Sequence, residues 1–317
     1  MQTEMHPTDV ILRSSDNQLF HSWKTFLSLS SPILGAMFAL PQPETSDNVD
    51  AKDHDELPII DLAEDSCTLD HILSLCHPPS LTRKQFKIDS VSELRALIDA
   101  TVKYDMENVR RAALEELSNP SVLREDPMWT FVIACQYERR EAARLAAKHT
   151  LALPSLMRAY MPELEKIHAG MLWALFLYRE RCATVARELA ADHTWIVYTD
   201  SSSLFGCDGE EIGTTVVRHP PSRKYRTGRP ERMTVHRWWI DYMRKSECAL
   251  QRWPHGDAIR YGNLVGETLT EISTSTCEDC KASNVSDAFR IFVNFFAENI
   301  ERRVAEVSTC LMPSLEG

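Results

Sequence analysis

Two cysteines near the C-terminal end, Cys277 and Cys280 in "TCEDCK", have the spacing of a metal-ligand pair. A C-x-x-C motif offers two thiolates to zinc, which takes four ligands in a structural site. Cys207, Cys248, His255 and Cys310 stand as completing residues, and none of them forms a second pair. Cys277 and Cys280 are the candidates should zinc bind; the plainer reading is a pair of reduced thiols, and no cofactor is expected. A second constellation opens the chain, where "DVILRSSDNQLFHSWK" sets Asp9 and Lys24 at its two ends. An acid and a base so placed invite proton transfer, but neither stands beside a nucleophile with a histidine partner, and no reaction class follows. The third is the basic run "RHPPSRKYRTGRPER", with Arg218, Arg223, Lys224, Arg226, Arg229 and Arg232 around Tyr225. Bases interleaved with an aromatic ring suit a phosphate backbone; the plainer reading is a solvated loop.

Bulk properties weigh on these readings. The chain has 317 residues, 44% hydrophobic and 26% charged, which is the composition of a folded protein with room for more than one core. Its net charge of -11 opposes general nucleic-acid binding, which depends on neutralising phosphates. Glycine is scarce, at 10 residues, and no phosphate-binding glycine loop, Ser-His-Asp order or H-E-x-x-H motif is present. The N-terminus lacks a basic-then-apolar leader, and the most apolar window, Ala169 to Tyr178, is too short to span a bilayer. Nine scattered cysteines in such a chain are expected as reduced thiols, in the cytosol or nucleus.

The elements follow from periodicity. Asp9 to Ser14 and Gln18 to His21 are β-prone runs joined by the turn residues "SSDN". Helical spacing begins after Ser22 and resumes at "SPILGAMF", where Pro32 suits a first turn. The acidic, proline-bearing stretch 41–56 reads as a loop, and Leu57 to Leu62 as a strand. A helix from Ser66 to Cys76 ends at "HPPS"; Ser90 and Glu93 have capping-box spacing before another; Met106 to Leu117 continues as a third. Beyond Pro120 strand signals nearly vanish. Helices are expected from Asp126-Pro127, over "EAARLAAKHTLAL", from Pro162 towards His193, along the stripe Val235, Trp238, Trp239, Tyr242, Met243, Leu250 and Trp253, and from about Ser286 to Val304. The fold class is α+β, a small sheet flanked by helices and then a mainly α-helical C-terminal region. Divisions are placed at 1–120, 121–200 and 201–317.

The first part resembles a BTB/POZ domain. The residues that carry the likeness are Asp9-Val10, Phe20-x-x-Trp23-Lys24, Leu27, Ser31, Leu34 and Met37-Phe38, followed by the strand at Leu57 to Leu62, the helix ending at Cys76, and "ALIDATVKYDMENVRRAALEEL" around Tyr104. In "SPILGAMFALPQP", the acidic loop and the "CHPP" helix ending it is most similar to BTB proteins of basidiomycete fungi. Trp23 stands where that family has histidine, and Leu34 where it has an aromatic residue. Only eight residues precede Asp9, too few for the additional strand and helix of strand-exchanged members, so the exchanged homodimer is not expected.

The resemblance implies an interaction adaptor with no chemistry of its own. Asp9, Phe20, Trp23, Lys24, Leu34, Met37, Phe38 and Tyr104 become framework or interface residues, with Asp9 and Lys24 as a charged pair at the end of the hairpin. It further implies one of two roles: a nuclear regulatory one, or docking on a cullin-type ubiquitin ligase scaffold through the helices around Leu69 to Cys76 and Val91 to Asn119, extended by helices after Pro120. The alternative is a nucleic-acid-associated regulator that uses residues 218–232, with zinc at the C-x-x-C. No membrane partner is expected.

Overall fold

The computed structural model describes residues 8–40, 57–78, 86–156, 160–196, 212–218, 230–275 and 283–308. They belong to two compact units, Met1–Leu145 and Ala146–Gly317.

The first unit is built on three strands. β1 (Val10–Arg13) and β2 (Leu19–Ser22) form an antiparallel hairpin with Val10 opposite Ser22 and Leu12 opposite Phe20. Its turn is closed by Ser14, whose backbone N–H donates to the Gln18 carbonyl at 3.0 Å and whose Oγ accepts the Gln18 N–H at 2.9 Å. Asn17 takes a φ of 63°, a left-handed conformation that asparagine tolerates, which explains the turn chemistry of "SSDN". β3 (Ile59–Asp61) runs parallel to β1, giving the order β2-β1-β3. Alternation puts Val10 and Leu12 inside, while Ile59, Asp61, Leu19 and His21 are exposed on the opposite face. On that outer face the Arg13 guanidinium grips the Asp61 carboxylate across the parallel pair.

Helices cover the inner face. α1 (Lys24–Ser30) and α2 (Pro32–Ala39) pack together as a tight pair, joined at Ser31. α3 (Ser66–Cys76) starts at Asp65, whose carboxylate accepts the Thr68 N–H at 2.8 Å. α4 (Val91–Lys103) and α5 (Glu107–Glu115) follow, separated by a turn in which Asp105 has φ 52°. Leu27, Leu34, Leu69, Leu94, Leu97, Met106 and Leu117 are all within 1% of full burial and form the core. Each such side chain contributes about 1.5–3 kcal/mol through loss of apolar contact with water.

α6 (Pro120–Glu125) and α7 (Pro127–Gln136) belong to this unit as well. Asn119 and Asp126 cap them, accepting from Ser121 at 3.0 Å and Trp129 at 3.1 Å. α7 is buried on all sides from Pro127 to Cys135, as its unbroken apolar run requires. The compact unit runs on through α6 and α7 because they are tied to α4: Glu125 accepts the Val91 N–H at 2.9 Å, and Arg95 lies over the Trp129 ring at 5.1 Å. α8 (Arg140–His149) carries the chain past the division.

The second unit is mainly helical. α9 (Ala169–Ala191) packs against α10 (Arg237–Arg252) and α13 (Ser283–Ser308); α11 (Asp257–Arg260) and α12 (Asn263–Thr274) complete it. The expected start of the long helix at Pro162 is corrected. Pro162–Lys166 is a single 3-10 turn, Ile167 is extended, and α9 begins at Ala169. A β-hairpin flanks the expected basic loop, where no strand is expected: β4 (Ile212–Arg218) pairs with β5 (Pro230–His236) over seven register positions. Val235 is thus a buried strand residue and not the first turn of the helical stripe. The Trp and Phe stripes of α10 and α13 face one another as core, with Tyr242 edge-on to Phe289 at 4.9 Å and Trp239 against Phe292 at 5.6 Å. Arg179 of α9 gathers segments at the ends of α8 and α10, donating to the carbonyls of Thr150 at 2.7 Å, Leu153 at 2.5 Å and Arg252.

Candidate protein-binding site

The hairpin end begins with Asp9. Its carboxylate accepts the backbone N–H of Lys24 at 2.7 Å, and so satisfies a helix-start donor that the residue in the cap position, Trp23, cannot reach with its own side chain. The acid meets the lysine's main chain and not its charge. Among the described residues the Lys24 ammonium makes no ion pair with it, and Asp9 itself is exposed.

Trp23 gathers a half-buried aromatic cluster. Its ring is 5.9 Å from Phe26 and 5.2 Å from His77, both edge-on, and Phe26 is 5.7 Å from His77. His77 ends α3 and is hydrogen-bonded through Nε2 to the fully buried Ser22 Oγ at 2.9 Å. Burial lowers its pKa, so the neutral ring is favoured at this position. An imidazole is thus present at the hairpin end, supplied by α3 and not by α1.

Ser31, Leu34 and Tyr104 lie in one buried network. Ser31 Oγ accepts the Leu34 N–H at 3.0 Å as the cap of α2 and donates to the Tyr104 carbonyl at 2.6 Å. The Tyr104 hydroxyl donates to Glu64 at 2.5 Å, and Lys103 donates to the other oxygen of that carboxylate at 2.7 Å. Burial acts to raise the Glu64 pKa; the bonds from Lys103 and Tyr104 outweigh it and hold the carboxyl below its usual range. Glu64 escapes notice in sequence because its partners lie about forty residues away. Phe20, Met37 and Phe38 are half-buried around these elements.

Three surfaces of the first unit face outward with apolar or mixed character. α1 and α2 expose Leu29, Ile33 and Leu40, the first by 78%. The outer sheet face exposes Leu19 and Ile59. Between α4 and the α6–α7 junction lies a concavity of about 450 Å³, lined by Val91, Ser92, Arg95, Ala96, Asp99 and Glu125 among others.

The remaining candidates are only partly placed. Arg218 ends β4 opposite Pro230, and Arg232 is exposed on β5 opposite Val216. Arg223, Lys224, Arg226 and Arg229 lie outside the described residues, as do Cys277, Cys280 and the acidic stretch 41–56. Among the described residues Cys67, Cys76, Cys135, Cys182 and Cys248 form no disulfide. No helix among the described residues is long and apolar enough to cross a membrane.

Residues 1–121 match the model of the BTB/POZ domain family. Among curated proteins none matches the chain. With the three-stranded sheet, the helices that cover it and the described helical region beyond, the match identifies the N-terminal part of this chain as a BTB/POZ domain, a module of protein–protein interaction, followed by a mainly helical C-terminal region.

Proposed function

We propose that the protein is an interaction adaptor that works by binding and not by catalysis, and that its BTB/POZ domain docks on a cullin-type ubiquitin ligase scaffold. The observation that carries this reading is the continuity of α4 with α6 and α7. Within one compact unit, Glu125 caps the start of α4 and Trp129 lies under Arg95, so helices beyond the matched domain extend its surface. The concavity between them has both charge signs at its rim and an alanine and a valine in its lining, the mixed character of a docking site for a protein segment.

The test is binding of the full chain to a purified cullin N-terminal region by calorimetry. Binding at low micromolar concentration or tighter is expected. Ser92→Arg with Ala96→Arg, two changes at the concavity, should weaken it by about tenfold or more, which is about 1.4 kcal/mol. Absence of binding at tens of micromolar by a folded sample overturns the proposal, as does binding indifferent to both substitutions.

A further inference from the structure

We propose that Cys67, His71 and Glu93 form a divalent-metal site of the zinc class that ties α3 to α4. Cys67 and His71 are four residues apart in α3 and therefore share one helix face. Glu93, in the first turn of α4, brings a carboxylate to the same point. Cys67 Sγ is 3.5 Å from His71 Nε2, and His71 Nε2 is 3.6 Å from Glu93 Oε2. All three ligand atoms lie within 4.8 Å of one another. Tetrahedral zinc, with bonds of about 2.3 Å to sulfur and about 2.0–2.2 Å to nitrogen and oxygen, sets its ligand atoms about 3.3–3.6 Å apart. Two edges of the triangle already have that length, and the third involves Cys67, an exposed side chain at the surface.

The donor set selects the ion. One thiolate, one imidazole nitrogen and one carboxylate oxygen suit zinc and its neighbours, and do not suit calcium or magnesium, which prefer oxygen alone. Supporting contacts are in place. His71 sits edge-on to Phe86 at 5.6 Å, which limits rotation of its ring. Glu93 Oε2 also accepts the Asp89 N–H at 3.1 Å, which orients the carboxylate and leaves it lone pairs for a metal. Three protein ligands leave a fourth position for water or for a donor from a bound partner. On binding, Cys67 gives up its thiol proton to solvent and the sulfur coordinates as thiolate.

The site is distinct from the C-x-x-C at Cys277 and Cys280, and the experiment separates the two. The full chain, freshly reduced, is titrated with Co²⁺ and followed by the thiolate-to-cobalt charge-transfer band, then back-titrated with Zn²⁺. One equivalent of Co²⁺ producing that band is expected, displaced by Zn²⁺. Cys67→Ser abolishes it, and Glu93→Gln weakens Co²⁺ binding by about tenfold or more. A Cys277→Ser, Cys280→Ser double variant retains it. Cys67 is exposed, so its serine variant keeps the fold, which circular dichroism verifies. Absence of the band at a Co²⁺ excess, or a band that survives Cys67→Ser and disappears in the double variant, overturns the proposal.

Discussion

Ser31→Ala removes two hydrogen bonds from a position with no solvent contact. The hydroxyl caps α2 by accepting the Leu34 N–H at 3.0 Å, and it donates to the Tyr104 carbonyl at 2.6 Å, which joins the α1–α2 pair to the end of α4. Loss of a serine cap costs about 1 kcal/mol. A buried carbonyl left without that donor costs about 1–3 kcal/mol more. The sum is about 3 kcal/mol, roughly 10 °C in the melting temperature of a unit this size. The assay is urea denaturation of the full chain, with hydrogen exchange read on peptides that cover Pro32 to Ala39, so that the loss is assigned to the first unit. Ser28→Ala, an exposed change three residues earlier, serves as control and should lie within about 0.5 kcal/mol of the unaltered protein. If Ser31→Ala is equally mild, the two bonds do not hold α2 to α4 and the reasoning fails.

Gly256→Ala should destabilise the second unit by about 1–3 kcal/mol in the same denaturation experiment, because the new Cβ meets the Ala297 carbonyl oxygen at 2.8 Å, a backbone atom on α13. Arg95→Ala should cost about 0.5–1 kcal/mol through the lost cation–π contact over Trp129; a Lys replacement that keeps full stability would show the contact to be one of charge alone. Glu64 sets an acid limit. Its folded pKa lies below the usual 4.5, so its contribution is complete above that pH and is lost as pH falls through the lowered folded value. Glu64→Gln should therefore flatten that part of the acid-unfolding curve. His193 and His255 in the second unit are pushed below 6.5 by burial; protonation opposes the fold, and stability should decline as pH falls below 6.5, read by tryptophan fluorescence.

Much of the first unit is legible from residue types at short range. Ser31 before Pro32, Ser90 before Glu93 and Asp126 before Pro127 each announce a helix start, and each is a cap in the structure. The β1–β2 turn follows from Asn17, and the buried faces of α10 and α13 from their aromatic spacing. What escapes is set at long range or runs against propensity. β4 and β5 are rich in threonine and valine, but proline and glycine between them obscure the hairpin, whose Thr215 bonds to His193 at 2.5 Å. α12 carries Gly266 and several threonines, poor helix formers that tertiary packing overrides. The Cys67–His71 spacing is visible on a helix, but Glu93 reads as a capping residue and nothing local brings the three together.

The cap that Glu125 lends to Val91 has a consequence in time. A ribosome releases α4 well before it releases Glu125, thirty-four residues later, so this first-turn amide waits for its acceptor during synthesis. Until then α4 begins with Ser90 alone as a cap, and the Trp129 ring that Arg95 lies over is not yet there. A nascent chain that has emerged only to residue 121, where the family match stops, holds a domain whose Val91 N–H still lacks its Glu125 acceptor. Its final tightening therefore belongs to the moment when the first helices of the extension emerge.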